Sequence, residues 1–159
     1  MLTFTIALSV AAAAQSPLTP IGGGSFDLEA QKGKVVILAV GATWLPLSTK
    51  QAEYANVLAK RYGGKNVVVY FVAMDSSLPK SKNFATDDQI LKFIGTSKLT
   101  VPVLRDSDGA YSLKKYSIDQ LPSFIVLDKQ GNQAGSAFSG IDPKFDITVP
   151  ISKTVDGLL

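Results

Sequence analysis

The hydrophobic positions of the chain fall into short segments whose spacing predicts alternating strands and helices. Residues 34–41 and 66–73 are apolar runs rich in Val, typical of strands that are buried on both faces. The segment between them, 49–62, has helical spacing, with an apolar stripe formed by Ala55, Leu58 and Tyr62. Strand, helix and strand in this order predict two parallel strands joined by a right-handed crossover.

The second half of the chain predicts shorter elements. Thr86 and Gln89 match a capping box, and Ile90, Phe93 and Ile94 would form the inner face of the helix that follows. The other predicted elements are an extended piece at 102–104, a helix at 110–116, a strand at 124–127, its hairpin partner at 133–139 and a helix near 151–159. Together they predict an α/β fold, with a βαβ unit and a ββα unit forming a mixed sheet flanked by helices.

The first residues resemble a secretory signal. Residues 2–14 are apolar and end in three alanines, although the basic residues that usually begin a signal are missing. The alternative is a buried terminal strand or helix, because the run is too short to span a membrane. We expect a signal peptide over 1–14, a linker over 15–25 and one domain over 26–159, exported to the periplasm or the cell exterior. We expect no integral membrane segment in the mature chain.

Composition excludes several kinds of site. Hydrophobic residues make up 46% of the 159 and charged residues 18%, as in a globular protein. The formal charge is only +3 and the lysines are scattered, so nucleic-acid binding is not predicted. The chain has no cysteine and no histidine, which rules out thiolate chemistry, a Cys/His zinc site and a histidine base. We predict no cofactor and no metal. The turn at 106–109 has only part of a calcium-loop pattern.

The stretch Ala42-Thr43-Trp44-Leu45-Pro46-Leu47-Ser48 joins the first predicted strand to its helix. In this frame the chain resembles the thioredoxin superfamily, in particular the secreted TlpA/ResA-like redoxins, whose turn reads Ala-Thr-Trp-Cys-Pro-Pro-Cys. Residues 99–133 resemble the second half of the sequences of the same family. The resemblance implies a thioredoxin-like fold over roughly 33–140 and places Pro122 at the position of the family's cis-proline.

The resemblance fails at the residues that carry the family's chemistry. Leu45 and Ser48 stand where the family has its two cysteines, so this chain alone cannot exchange disulfides. Ser48 is followed by Lys50, but two residues apart on a helix do not share a face, which favours a first-turn or capping role for Ser48 over a Ser–Lys dyad. Asp75, Asp106 and Asp108 show no spacing typical of a catalytic pair. We expect no catalytic residue.

In thioredoxin-like proteins the loop before the cis-proline offers main-chain groups to an extended peptide. We therefore expect non-covalent binding of a protein or extended peptide at a surface formed by Trp44, Leu45, Pro46, Leu47, Ser48, Leu121 and Pro122. One alternative is that Leu45 only fills space in a decayed site. Others are an accessory role in a redoxin pathway whose cysteines come from a partner, an unrecognised enzyme, and a purely structural domain.

Overall fold

A six-stranded mixed sheet forms the centre of the structure, a computed structural model that describes residues 17–159. Its strands are β1 (Thr19–Pro20), β2 (Val35–Gly41), β3 (Val67–Ala73), β4 (Val103–Arg105), β5 (Ser123–Leu127) and β6 (Phe138–Ser139). They lie in the order β1-β4-β3-β2-β5-β6. β3 pairs in parallel with both β2 and β4, whereas β1–β4, β2–β5 and β5–β6 are antiparallel pairs. The predicted parallel pair and hairpin are confirmed within this wider sheet.

The helices follow the predicted pattern closely. They are α1 (Ser48–Arg61), α2 (Asp87–Thr96), α3 (Ser112–Lys115) and α4 (Thr148–Asp156). At the start of α2 the capping box is confirmed: Gln89 N donates to Thr86 Oγ1 at 3.2 Å, and Thr86 N donates to Gln89 Oε1 at 2.8 Å. α4 begins three residues earlier than predicted, because Pro150 lies in its first turn, where a missing N–H costs nothing.

The core has two halves, one on each face of the sheet. Along β2, Val35, Ile37 and Ala39 pack into the first core, which also takes the buried faces of α1, α2 and α4. The alternate residues of β2 pack into the second core, beneath α3 and the segment around Leu18. Every residue of β2 is buried, as the sequence predicts for a strand that is covered on both faces.

The segment before residue 26 differs from the linker that its glycines and prolines suggest. Leu18 is buried in the second core, Thr19 and Pro20 pair with β4, and Ile21 N donates to Val103 O at 3.0 Å. Part of 15–25 is thus packed onto the sheet as an edge strand, where proline is tolerated. The predicted signal peptide lies outside the described residues. Among residues 17–159, no helix combines the length and the apolar character needed to cross a membrane.

Candidate functional site

The turn between β2 and α1 is a pair of overlapping tight turns. Leu45 N donates to Ala42 O at 3.2 Å, and Ser48 N donates to Leu45 O at 3.1 Å. The ring of Trp44 is turned outward and the residue is 53% exposed. Pro46 is also exposed. The turn therefore presents an aromatic ring and a proline to solvent at the point where β2 leaves the sheet.

The two leucines of the turn anchor it to both cores. Leu45 is half-buried and packs against the second core. Leu47, also half-buried, packs against the first. The turn thus straddles the end of the sheet, and Leu45 contributes to packing while part of it stays accessible.

Ser48 is the first residue of α1 and is almost fully buried. Its hydroxyl donates to Ala42 O and therefore closes the turn. Lys50 points elsewhere: its Nζ lies 2.7 Å from Glu53 Oε2, and that hydrogen bond raises the pKa of Lys50 above its ordinary value. The first-turn role predicted for Ser48 is confirmed. The geometry of a Ser–Lys dyad, with the amine in reach and its pKa lowered, is not formed.

The peptide bond between Leu121 and Pro122 is cis, as the resemblance implies. Pro122 precedes β5, whose Ser123 pairs with Val40 of β2, so the proline loop and the Trp44 turn begin at the same end of adjacent strands. Leu121 packs against the same core as Leu45. Within residues 17–159, the main-chain N–H and C=O of Leu121 make no hydrogen bond to another residue.

Gln51 joins these two loops and was not predicted from the sequence. It lies on α1 one turn after Ser48 and is fully buried. Its Nε2 donates to Val40 O at 3.0 Å and to Ser123 O at 2.9 Å. The amide thereby ties the start of α1 to β2 and β5, beside the cis-proline. A polar residue inside an otherwise apolar helical stripe was the signal that could have indicated it.

The three aspartates singled out in the sequence lie on neighbouring segments, since Asp106 N donates to Ala73 O and Asp108 N to Met74 O, but their carboxylates bind different partners. Asp75 accepts hydrogen bonds from Thr43. Asp106 accepts from the main-chain N–H of Tyr111 and Ser112, at the start of α3. Asp108 lies in the turn after β4 with φ 57°. In the described part of the chain, no group of His, Cys, Asp and Glu residues has the arrangement of a metal site.

Residues 7–135 match the redoxin family model. The chain belongs to the redoxin family. It is 30% identical over 114 residues to the thiol-disulfide oxidoreductase ResA of Bacillus cereus, an alignment that covers 72% of this chain and 60% of ResA. It is also 30% identical over 114 residues to the thioredoxin-like protein YneN of Bacillus subtilis, covering 72% and 62%. The chain thus spans about 60% of the length of these curated relatives.

Solved structures confirm the predicted thioredoxin-like fold. A thioredoxin-like protein from Aeropyrum pernix superposes with a TM-score of 0.68 at 20% identity, covering 88% of this chain and 87% of that one. A secreted Mycobacterium tuberculosis disulfide oxidoreductase, homologous to E. coli DsbE, gives 0.67 at 19% identity, covering 89% and 94%. This redoxin has no cysteine, so the thiol pair that disulfide exchange requires is missing from a retained fold.

Proposed function

We propose that this redoxin binds an extended segment of a partner protein non-covalently, at a surface formed by the Trp44 turn and the cis-proline loop. The observation that carries the proposal is that, within residues 17–159, the main chain of Leu121 is unpaired, at the same end of the sheet as the exposed side chain of Trp44. A peptide strand can pair with such free groups, while neighbouring apolar side chains give preference. With no thiol in the chain, such binding leaves no covalent intermediate.

The apolar character of this surface supports the binding of an apolar peptide segment. Trp44 and Leu45 offer an aromatic ring and an accessible part of an aliphatic side chain where the family has a thiolate. Exposed apolar side chains that lie together often mark interaction sites. Ser48 adds little polarity, because its hydroxyl is buried and bonded to Ala42 O. We infer that the preferred segment places an aliphatic or aromatic residue over Leu45.

Export is part of the same proposal. The apolar start of the sequence and the family membership support a protein that works outside the cytoplasm. The partner would then be another exported protein, bound while part of its chain is extended.

The test is a titration of unfolded polypeptide into the mature chain, read by the fluorescence of Trp44, the only tryptophan. A saturable change, confirmed by calorimetry, is the expected result. Leu45→Asp should abolish it by placing a charge on the apolar contact. Trp44→Ala, measured by calorimetry alone, should weaken binding as a second variant that does not disturb the Leu45 packing.

A matched control is Val57→Asp. Val57 is 50% exposed on α1 and lies nine residues after Ser48, about 13 Å along the helix. The Val57→Asp variant makes the same change from an aliphatic to an acidic side chain, but at a position outside the proposed binding surface. It should therefore leave peptide binding unchanged. Equal losses in Leu45→Asp and Val57→Asp, or no binding by the unaltered chain, would defeat the proposal.

The second candidate, an accessory role in a thiol-disulfide pathway, is favoured by the names of the relatives, five of which are called thiol-disulfide oxidoreductase ResA. It predicts tighter binding to a client that carries a disulfide than to the same client with both cysteines changed to serine. Equal affinity for the two clients would support peptide binding that does not depend on thiol chemistry.

A further inference from the structure

Asp75 follows β3 and is completely buried, with an exposed fraction of 0%. Among residues 17–159, its carboxyl group accepts hydrogen bonds from one residue only: Thr43 N donates to Oδ2 at 3.0 Å, and Thr43 Oγ1 donates to Oδ1 at 2.5 Å. Among the described residues, no cationic group lies within ion-pair distance of this carboxyl. A buried acidic group is costly unless it is hydrogen-bonded, and here both bonds are made to the residue that precedes Trp44.

The carboxyl group of Asp75 continues the link between β2 and β3 beyond their last main-chain hydrogen bonds. The last pair of β2 and β3 is Gly41 with Ala73, and Met74 N then donates to Gly41 O at 2.7 Å. Beyond that pair the chain leaves β2 and enters the turn. Asp75 bridges the gap with two side-chain bonds, which fix both the main-chain N–H and the side chain of Thr43.

The same residue reaches a second loop through its main chain. Arg105 is buried, and its Nη1 donates to the carbonyl oxygens of Asp75, Ser76 and Ala85 at 3.2, 3.1 and 2.9 Å. Its Nη2 lies 2.8 Å from Asp87 Oδ1. The base of the Trp44 turn and both ends of the loop 76–85 are therefore held by one set of hydrogen bonds.

We propose that Asp75 is the positioning residue of the binding surface: through Thr43 it holds the Trp44 turn in one geometry, which is the geometry that the partner peptide meets. A contact loop that is already ordered in the free protein improves affinity, because binding then does not have to supply the entropy cost of ordering it. The effect on affinity rests on the proposed function, whereas the effect on the turn itself does not.

The test uses Trp44 in two separate readouts. Time-resolved anisotropy of its fluorescence reports local motion without any partner, and a peptide titration reports affinity. Thr43→Val removes the hydroxyl donor, and Asp75→Asn leaves an amide N–H facing one of the two Thr43 donors. Both variants should show a larger fast component of Trp44 depolarisation and a peptide Kd raised roughly tenfold.

Two further variants separate positioning from general stability. Thr43→Ser keeps both donors and should restore the unaltered anisotropy. Asp128→Ala removes the hydrogen bonds that Asp128 Oδ1 accepts from Gln130 N and Asn132 N, which also lowers the stability of the fold. Asp128 lies at the opposite end of β5 from the cis-proline loop, so this variant should leave Trp44 unaffected.

Unchanged Trp44 motion in both Thr43→Val and Asp75→Asn would overturn the inference. So would an equal increase in Asp128→Ala, because Trp44 would then report only a looser fold. Increased motion in the first two variants with no peptide binding by the unaltered chain would support the positioning role of Asp75 and reject the proposed function.

Discussion

Gly41→Ala is expected to destabilise this redoxin by displacing the side chain of Gln51. A Cβ added to Gly41 would lie 2.2 Å from Gln51 Oε1 and 3.2 Å from Gln51 Cδ, and the third nearest atom is Gln51 Nε2 at 3.6 Å. To make room, the carboxamide must leave Val40 O and Ser123 O, its partners at 3.0 and 2.9 Å. Two buried hydrogen bonds and the desolvation of the carbonyls left behind amount to roughly 2–4 kcal/mol.

The double variant decides whether that reasoning is right. Gln51→Ala alone loses the same two bonds and leaves a cavity, a loss of roughly 2–5 kcal/mol. Adding Gly41→Ala to it should cost nothing more, because the new methyl group fills vacated space. Urea unfolding, followed by Trp44 fluorescence and circular dichroism, measures the free energies. Gly95→Ala is the control. Among the described residues, apart from its chain neighbours and the backbone of its own helix, no atom lies within 4 Å of the added Cβ, so α2 should gain about 0.5–1 kcal/mol. Additive losses in the double variant would refute the account.

Leu45→Cys with Ser48→Cys should form an internal disulfide, seen by mass spectrometry, and should reduce insulin; a folded variant without that disulfide would contradict the alignment of the turn. Arg105→Met should lower the free energy of unfolding by about 1–3 kcal/mol, because it leaves buried carbonyl oxygens without a donor. It should also raise amide hydrogen exchange across 76–85, whereas unchanged exchange there would contradict the shared anchoring. The pKa of Asp146 is lowered by its hydrogen bonds from Thr148. Its contribution to stability is therefore present above the ordinary carboxyl pKa and is lost as the pH falls through the lower folded-state pKa, so Asp146→Asn should reduce the dependence of urea stability on pH in acid. If the free energy of unfolding of Asp146→Asn falls with decreasing pH as steeply as that of the unaltered chain, this prediction is wrong.

The sheet could be predicted where the sequence pattern is strong. The runs at 34–41 and 66–73 predict β2 and β3 closely, because a strand buried on both faces must be apolar throughout. β4 was predicted only as an extended piece, since three residues carry too little pattern to reveal a partner. β1 was missed for the same reason: two residues between prolines and glycines look like a linker, and pairing with β4 overrides that local signal.

The candidate site was predicted in outline but not in its supports. The turn at 42–48 and the cis bond before Pro122 came from the family resemblance. Gln51 and the bond between Asp75 and Thr43 did not, because they depend on contacts between residues far apart in the sequence. A single polar residue in an apolar stripe, or an acid at the end of a strand, has many uses, and only the fold shows which one applies.

Because Leu45 packs against the second core, a thiol couple cannot be built at the turn by one favourable substitution. Leu45→Cys would give up buried aliphatic surface worth about 0.8 kcal/mol per CH₂, yet one thiol cannot form the internal disulfide. Ser48→Cys would in turn replace the hydroxyl that closes the turn on Ala42 O and would gain no partner thiol. Each single substitution is disfavoured and only the pair supplies two thiols, so positions 45 and 48 form a coupled unit in which cysteine is useful at both or at neither.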